Sequence, residues 1–167
     1  MDFRGYNMAN ELLFLIKEAL SSLNKERGGD RDFENLCEKL IVRCIDSGFI
    51  PSSGSDNGGD GGIDGWSIFG EGETIKYAFS IDKKTKKKII SEIEKSNYEN
   101  IRFFTNQQIK QSVQEDIKKQ YPQKKIDFYD QDAIAEIIER YEDLGKYIGL
   151  KDVQHNLDIA YIKEHNQ

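Results

Sequence analysis

From residue 63 to residue 141 short apolar runs alternate with helical patterns, and this alternation constrains the fold more than any other feature of the chain. Residues 63–69 and 75–81 read as two strands joined by a short glycine-containing turn at 70–73, a hairpin. Residues 83–96 read as a helix, 101–105 (IRFFT) as a buried strand, and 107–120 as a helix. Residues 126–129 then read as a strand and 132–141 as a helix, with a further helix predicted over 152–164. Strands that alternate with helices pair in parallel and bury both faces of their sheet. Two helices precede this region. In the first, Leu12, Ile16, Ala19, Leu20 and Leu23 recur at helical spacing up to Gly28 and Gly29. The second carries Phe33, Leu36, Cys37, Leu40, Ile41, Cys44 and Ile45 on one stripe, the cleanest 3.6-residue pattern in the chain, and Gly48 ends it. The order ααββαβαβαα predicts a three-layer α/β/α sandwich around a central mixed sheet of at least five strands.

Composition narrows the class further. At 167 residues the chain suits one domain with a real core. No apolar run is long enough to span a bilayer, and no basic segment precedes an apolar one at the start, so the expected compartment is the cytoplasm. Cys37 and Cys44 lie about 10 Å apart along one helix, too far for a disulfide, and read as buried reduced thiols. A net charge of −6 argues against a general nucleic-acid coat protein. Positive charge is nonetheless concentrated, because five of the six residues 83–88 are lysine.

The chemistry centres on residues 51–65, PSSGSDNGGDGGIDG, which hold six of the fourteen glycines and three aspartates. Asp64 opens a strand directly after this loop, and Asp60 stands four residues earlier. A carboxylate at a strand's start, beside backbone able to approach a ligand closely, suits metal or phosphate chemistry. Strand alternation sets Tyr77, Phe79 and Ile81 on one face and Ala78, Ser80 and Asp82 on the other. Hairpin pairing then predicts Ser80 and Asp82 beside Asp64, with Lys83 and Lys84 following. Carboxylates, a hydroxyl and ammonium groups in one small volume are what metal-assisted phosphodiester hydrolysis uses. Lysines at a helix N-terminus oppose the helix dipole, which favours an anionic partner for Lys84, Lys86 and Lys87. Gln107, at the carboxyl end of a strand, is placed to meet the same ligand.

Phe33-Glu34 on an early helix, the block Gly59-Asp60-Gly61-Gly62-Ile63-Asp64, a second strand and a lysine-rich helix together resemble the PD-(D/E)XK, restriction-endonuclease-like superfamily. The likeness is to its Mrr-type and antiphage-defence branches. Phe103-Phe104-Thr105-Asn106-Gln107 and IDFYDQDAI add to it, and it covers about residues 8–142. The resemblance implies a restriction-endonuclease-like sandwich and a Mg²⁺- or Mn²⁺-dependent nuclease acting on DNA in bacterial antiviral defence. It makes Asp64 the principal metal ligand and Glu34 the helix glutamate of the site, while Asp60 and Asp82, nearby in the loop and at the end of the next strand, are further candidate auxiliary metal ligands. The chain departs from the motif on the second strand, where Ser80 stands at the Glu/Gln position and Asp82 at the Lys position. Either the lysine has moved, to Lys83 or to Lys87 or Lys88 on the next helix, or cleavage is lost and a module for nucleic-acid binding or protein docking remains.

Plainer roles compete at each position. Asp60 and Asp64 serve as turn aspartates, Glu34 as a solvated helix residue, Asp82 as a helix cap, and residues 83–88 as a solvated helix start. Residues 1–150 are expected to form the nuclease-like domain. Residues 151–167 are expected to form a helical tail leading toward a further domain, and homo-oligomerisation is a further expectation.

Overall fold

The computed structural model describes residues 3–52, 64–69 and 72–150. It is an α/β chain whose five-stranded mixed sheet is flanked by helices on both faces, as the alternation predicts. Helices α1 (Phe3–Ser21) and α2 (Gly29–Cys44) come first, joined through a 3₁₀ turn at Lys25–Arg27. The strands are β1 (Ile50–Pro51), β2 (Gly65–Phe69), β3 (Glu73–Ser80), β4 (Asn100–Thr105) and β5 (Lys125–Tyr129). Helices α3 (Thr85–Glu94), α4 (Gln111–Gln120) and α5 (Gln131–Arg140) follow β3, β4 and β5, and a 3₁₀ segment, Glu142–Ile148, comes last.

The strands lie in sequence order across the sheet. β1–β2 and β2–β3 are antiparallel, so the predicted hairpin forms, with Gly65 opposite Tyr77 and Ser67 opposite Ile75. β3–β4 and β4–β5 are parallel.

Each face of the sheet has its own apolar core. Tyr77, Phe104 and the edge of Phe79 pack with Leu12, Ile16, Leu20, Phe33, Leu36, Leu40, Ile134 and Ile138 from α1, α2 and α5. Aromatic rings run across this face. Phe49 meets Tyr77 edge-on at 4.9 Å, Phe79 meets Phe104 at 5.6 Å, and Phe104 stacks on Tyr129 at 4.5 Å. On the other face Ala78, Phe103 and Ile126 pack with Ile89, Ile93 and Ile117 from α3 and α4.

Two expected boundaries shift, and two observed elements have no counterpart in the sequence pattern. α1 stops at Ser21, before Leu23, and Asn24 caps the 3₁₀ turn by accepting the Glu26 N–H. α4 starts at Gln111 rather than 107, because residues 106–109 are held by side-chain bonds instead of a helical ladder. β1 and the last 3₁₀ segment have no periodic signal, being too short or too irregular to carry one. The loop at 53–63, with Asp60, and the predicted helix at 152–164 lie outside the described residues.

Gly65 has a packing reason of its own. A Cβ there would run into the Phe49 ring and meet the Ile50 carbonyl at 3.0 Å. Phe49 in turn holds Tyr77 and Phe79. Gly65→Ala is therefore expected to cost about 1–3 kcal/mol as an overpacked contact. Thermal denaturation checks this, at roughly 2–4 °C of Tm per kcal/mol. An unchanged Tm would mean that Phe49 moves aside freely.

Candidate active site

Asp64 enters the sheet where β2 begins. Its N–H donates to the Tyr77 carbonyl (3.0 Å) and its carbonyl accepts the Ser52 N–H (3.0 Å). The side chain then does the work of a strand carbonyl, with Oδ2 accepting the Phe79 N–H at 2.7 Å. Its other oxygen takes no hydrogen bond among the described residues. Glu34 on α2 and both Glu92 and Lys88 on α3 lie within electrostatic reach of the carboxyl.

That setting makes the ionised form costly. Burial is the main cause and pushes the Asp64 carboxyl up to about 7, against the Phe79 N–H, which favours the anion. The charges of Glu34 and Glu92 raise it further, and Lys88 offsets part of this. The Cys37 thiol, buried on α2 within reach of Asp64 and Glu34, is also pushed up, chiefly by burial. Both cysteines are free thiols, as expected, Cys37 buried and Cys44 half-buried.

A lysine and a glutamate unremarked in the sequence complete the cluster. On β3, Lys76 shares the α3-facing side with Ala78 and has no exposed surface. Its Nζ lies 3.2 Å from Glu92 Oε2 and also donates to the Glu92 carbonyl at 3.2 Å. Burial lowers the Lys76 pKa, while Glu92 and Asp64 act to raise it. Lys88 Nζ lies 3.0 Å from the other oxygen, Glu92 Oε1. Two signals foretold this. Lys76 interrupts an apolar strand, and Glu92 falls three residues after Ile89 on the buried stripe of α3.

The remaining expected residues are distributed differently. Ser80 and Asp82 were expected beside Asp64, but their side chains hold the β3–α3 turn. Ser80 Oγ accepts the Asp82 N–H (3.1 Å), and Asp82 Oδ1 accepts the Lys84 N–H (3.0 Å). Asp82 thus closes a side-chain turn before the helix, while α3 has Lys84 at its N-cap and no side-chain cap bond, so the expected capping role for Asp82 is not met. Lys83, Lys84, Lys86 and Lys87 are exposed, and Lys88 is the half-buried member of the run. Gln107 is tied inward, its amide donating to Asn106 Oδ1 (3.0 Å) and its carbonyl accepting the Gln131 N–H (3.0 Å). Its neighbour Asn106 is fully buried and donates to the Leu20 carbonyl. The 105–107 segment therefore joins β4 to α1 and α5, and a ligand contact from Gln107 is replaced by a structural one.

The donor set is all oxygen, which suits a hard divalent cation. Among the described residues no group of three or more His, Cys, Asp or Glu stands ready to hold a metal. Mg²⁺ usually takes one or two carboxylates and completes its shell with water and substrate phosphate oxygens, so Asp64 with Glu34 has the necessary size. Two surface hollows lie away from Asp64. One of about 330 Å³ runs between α2, β1 and the last 3₁₀ segment, and one of about 540 Å³ lies at the start of β4 and β5. Among the described residues no helix is long and apolar enough to cross a membrane. No protein-family model, curated protein or solved structure matches the chain.

The raised Asp64 pKa has a definite sign for stability. The folded carboxyl keeps a proton that the unfolded one releases near pH 4. Its favourable contribution is full below about pH 4 and is lost as pH rises through 7. Asp64→Asn keeps an oxygen for the Phe79 N–H and removes the titration. In metal-free denaturant titrations the wild type should lose stability relative to this variant from pH 5 to pH 8. A constant difference across that range would disprove the raised value.

Proposed function

We propose that this domain is a divalent-metal-dependent nuclease of the restriction-endonuclease-like class, acting on DNA, whose catalytic lysine stands on α3 at Lys88. The carrying observation is that the Asp64 carboxyl, held by the Phe79 N–H at 2.7 Å, lies within electrostatic reach of Glu34 on α2 and of Lys88 on α3. Among the lysines of residues 83–88, Lys88 alone is drawn in against an acidic partner rather than left exposed.

Asp64 and Glu34 would hold the cation, and a divalent cation there supplies charge for the scissile phosphate and a more acidic water. Lys88 then lies on the α3 side of Asp64, where its ammonium can donate to a phosphate oxygen as negative charge builds. Phe79 fixes the Asp64 carboxylate through Oδ2 and leaves the other oxygen to a ligand. Lys84, Lys86 and Lys87, exposed on the first turn of α3 or just before it, supply contacts to the nucleic-acid backbone despite the net charge of −6. This reading supports a role in antiviral defence by the same resemblance.

A second reading, a nuclease-like module that binds nucleic acid or a protein without cleaving, is favoured by one observation. Ser80 and Asp82, at the motif's second and third positions, are engaged in the β3–α3 turn.

Nicking of supercoiled plasmid with Mg²⁺ or Mn²⁺ separates the two. Cleavage should require the cation and fall by about 100-fold or more in both Asp64→Asn and Lys88→Met, the scale of losing a group that stabilises transition-state charge. No metal-dependent cleavage of duplex DNA, single-stranded DNA or RNA, with binding retained, would establish the second reading instead.

A further inference from the structure

We propose that the buried Lys76–Glu92 ion pair is a positioning device that holds the Lys88 ammonium toward Asp64. This deepens the nuclease reading and rests on it.

The geometry divides one carboxylate between two lysines. Glu92 Oε2 faces Lys76 at 3.2 Å, and Glu92 Oε1 faces Lys88 at 3.0 Å. Lys76 springs from the central strand, with no exposed surface, and also grips the backbone carbonyl of Glu92. The carboxylate is thereby fixed in orientation at both its side chain and its main chain. An ordinary exposed pair at this helical spacing is too weak to confine a lysine with four rotatable bonds. Here the acceptor is 4% exposed and already immobilised, so the ammonium meets a rigid partner.

Lys88 pairs with the outer Glu92 oxygen and also lies within electrostatic reach of Asp64. Stability gives little reason for the Lys76–Glu92 pair, since an apolar pair of similar volume in such a place is often as stable or more so. Lys76 and Glu92 touch no substrate in this arrangement. They are positioning residues, and Lys88 is the catalytic one.

The test replaces the pair as a unit, so that both buried charges are removed together. The double variant Lys76→Met/Glu92→Leu keeps an apolar filling and should fold, with an unchanged circular-dichroism spectrum. With Mn²⁺ and plasmid, its kcat should fall about 10- to 100-fold, as when groups that orient a ligand are lost, with KM nearly unchanged. Adding the double change to Lys88→Met should produce no further loss, since the two act through one group. The Lys88 Nζ resonance, identified by its absence in Lys88→Met, should report an ordered ammonium in the wild type and a mobile one in the double variant. A double variant with kcat within about twofold of wild type, or losses that add to those of Lys88→Met, would overturn the proposal. If the wild type fails to cleave, the nuclease reading falls and the resonance decides alone. An equally mobile Lys88 in wild type and double variant would then refute the positioning role.

Discussion

β3 is covered on both faces, and the two coverings are chemically unlike. Toward α1, α2 and α5 it presents Ile75, Tyr77 and Phe79 to an aromatic and aliphatic core. Toward α3 it presents Lys76 and Ala78, so an ammonium is buried where an apolar side chain would serve packing better. A buried charge must find a partner or lose its proton. That requirement draws Glu92 onto the inner stripe of α3 and sets the helix against the strand at that level. Lys88, one turn earlier, is carried in with it.

Asp64 meets the same strand from the other side of the hairpin. Its carboxylate ends the β2–β3 ladder by accepting from Phe79, a task a backbone carbonyl usually performs. The price of this substitution is a buried carboxyl within reach of the charges of Glu34 and Glu92. Gly65 makes the arrangement possible, since Phe49 occupies the space of its missing side chain. One short stretch of β2 thus serves the core and the acidic site together.

Much of this was legible in the residues. The α2 stripe gave the core face of that helix, with Phe33, Leu36, Cys37, Leu40 and Ile41 buried. Strand–helix alternation gave the parallel half of the sheet, and the period of two gave the correct faces of Tyr77, Phe79 and Ala78. Asp64 and Glu34 could be singled out because their types and spacing carry meaning within a local motif, and Glu34 lies within electrostatic reach of Asp64. Lys76 and Glu92 were not, because their relation spans sixteen residues and depends on how a helix docks on a strand. Ser80 and Asp82 misled for a related reason. A polar residue at a strand's end satisfies a turn as readily as it serves a ligand, and here backbone N–H groups took both. Gln107 was expected to meet a nucleic-acid ligand, and its observed bonds are to Asn106 and Gln131 at the junction of three elements.

That junction has a consequence for how the chain assembles. Asn106 binds the carbonyl of Leu20, and Gln131 reaches Ser21 Oγ, across separations of 86 and 110 residues. α1 packs chiefly on α5, an element more than a hundred residues later. During synthesis α1 must wait, its α5-facing side uncovered, until α5 has emerged more than a hundred residues later. Contacts of such long span slow folding, and the interval exposes Leu12, Ile16 and Leu20 to other chains.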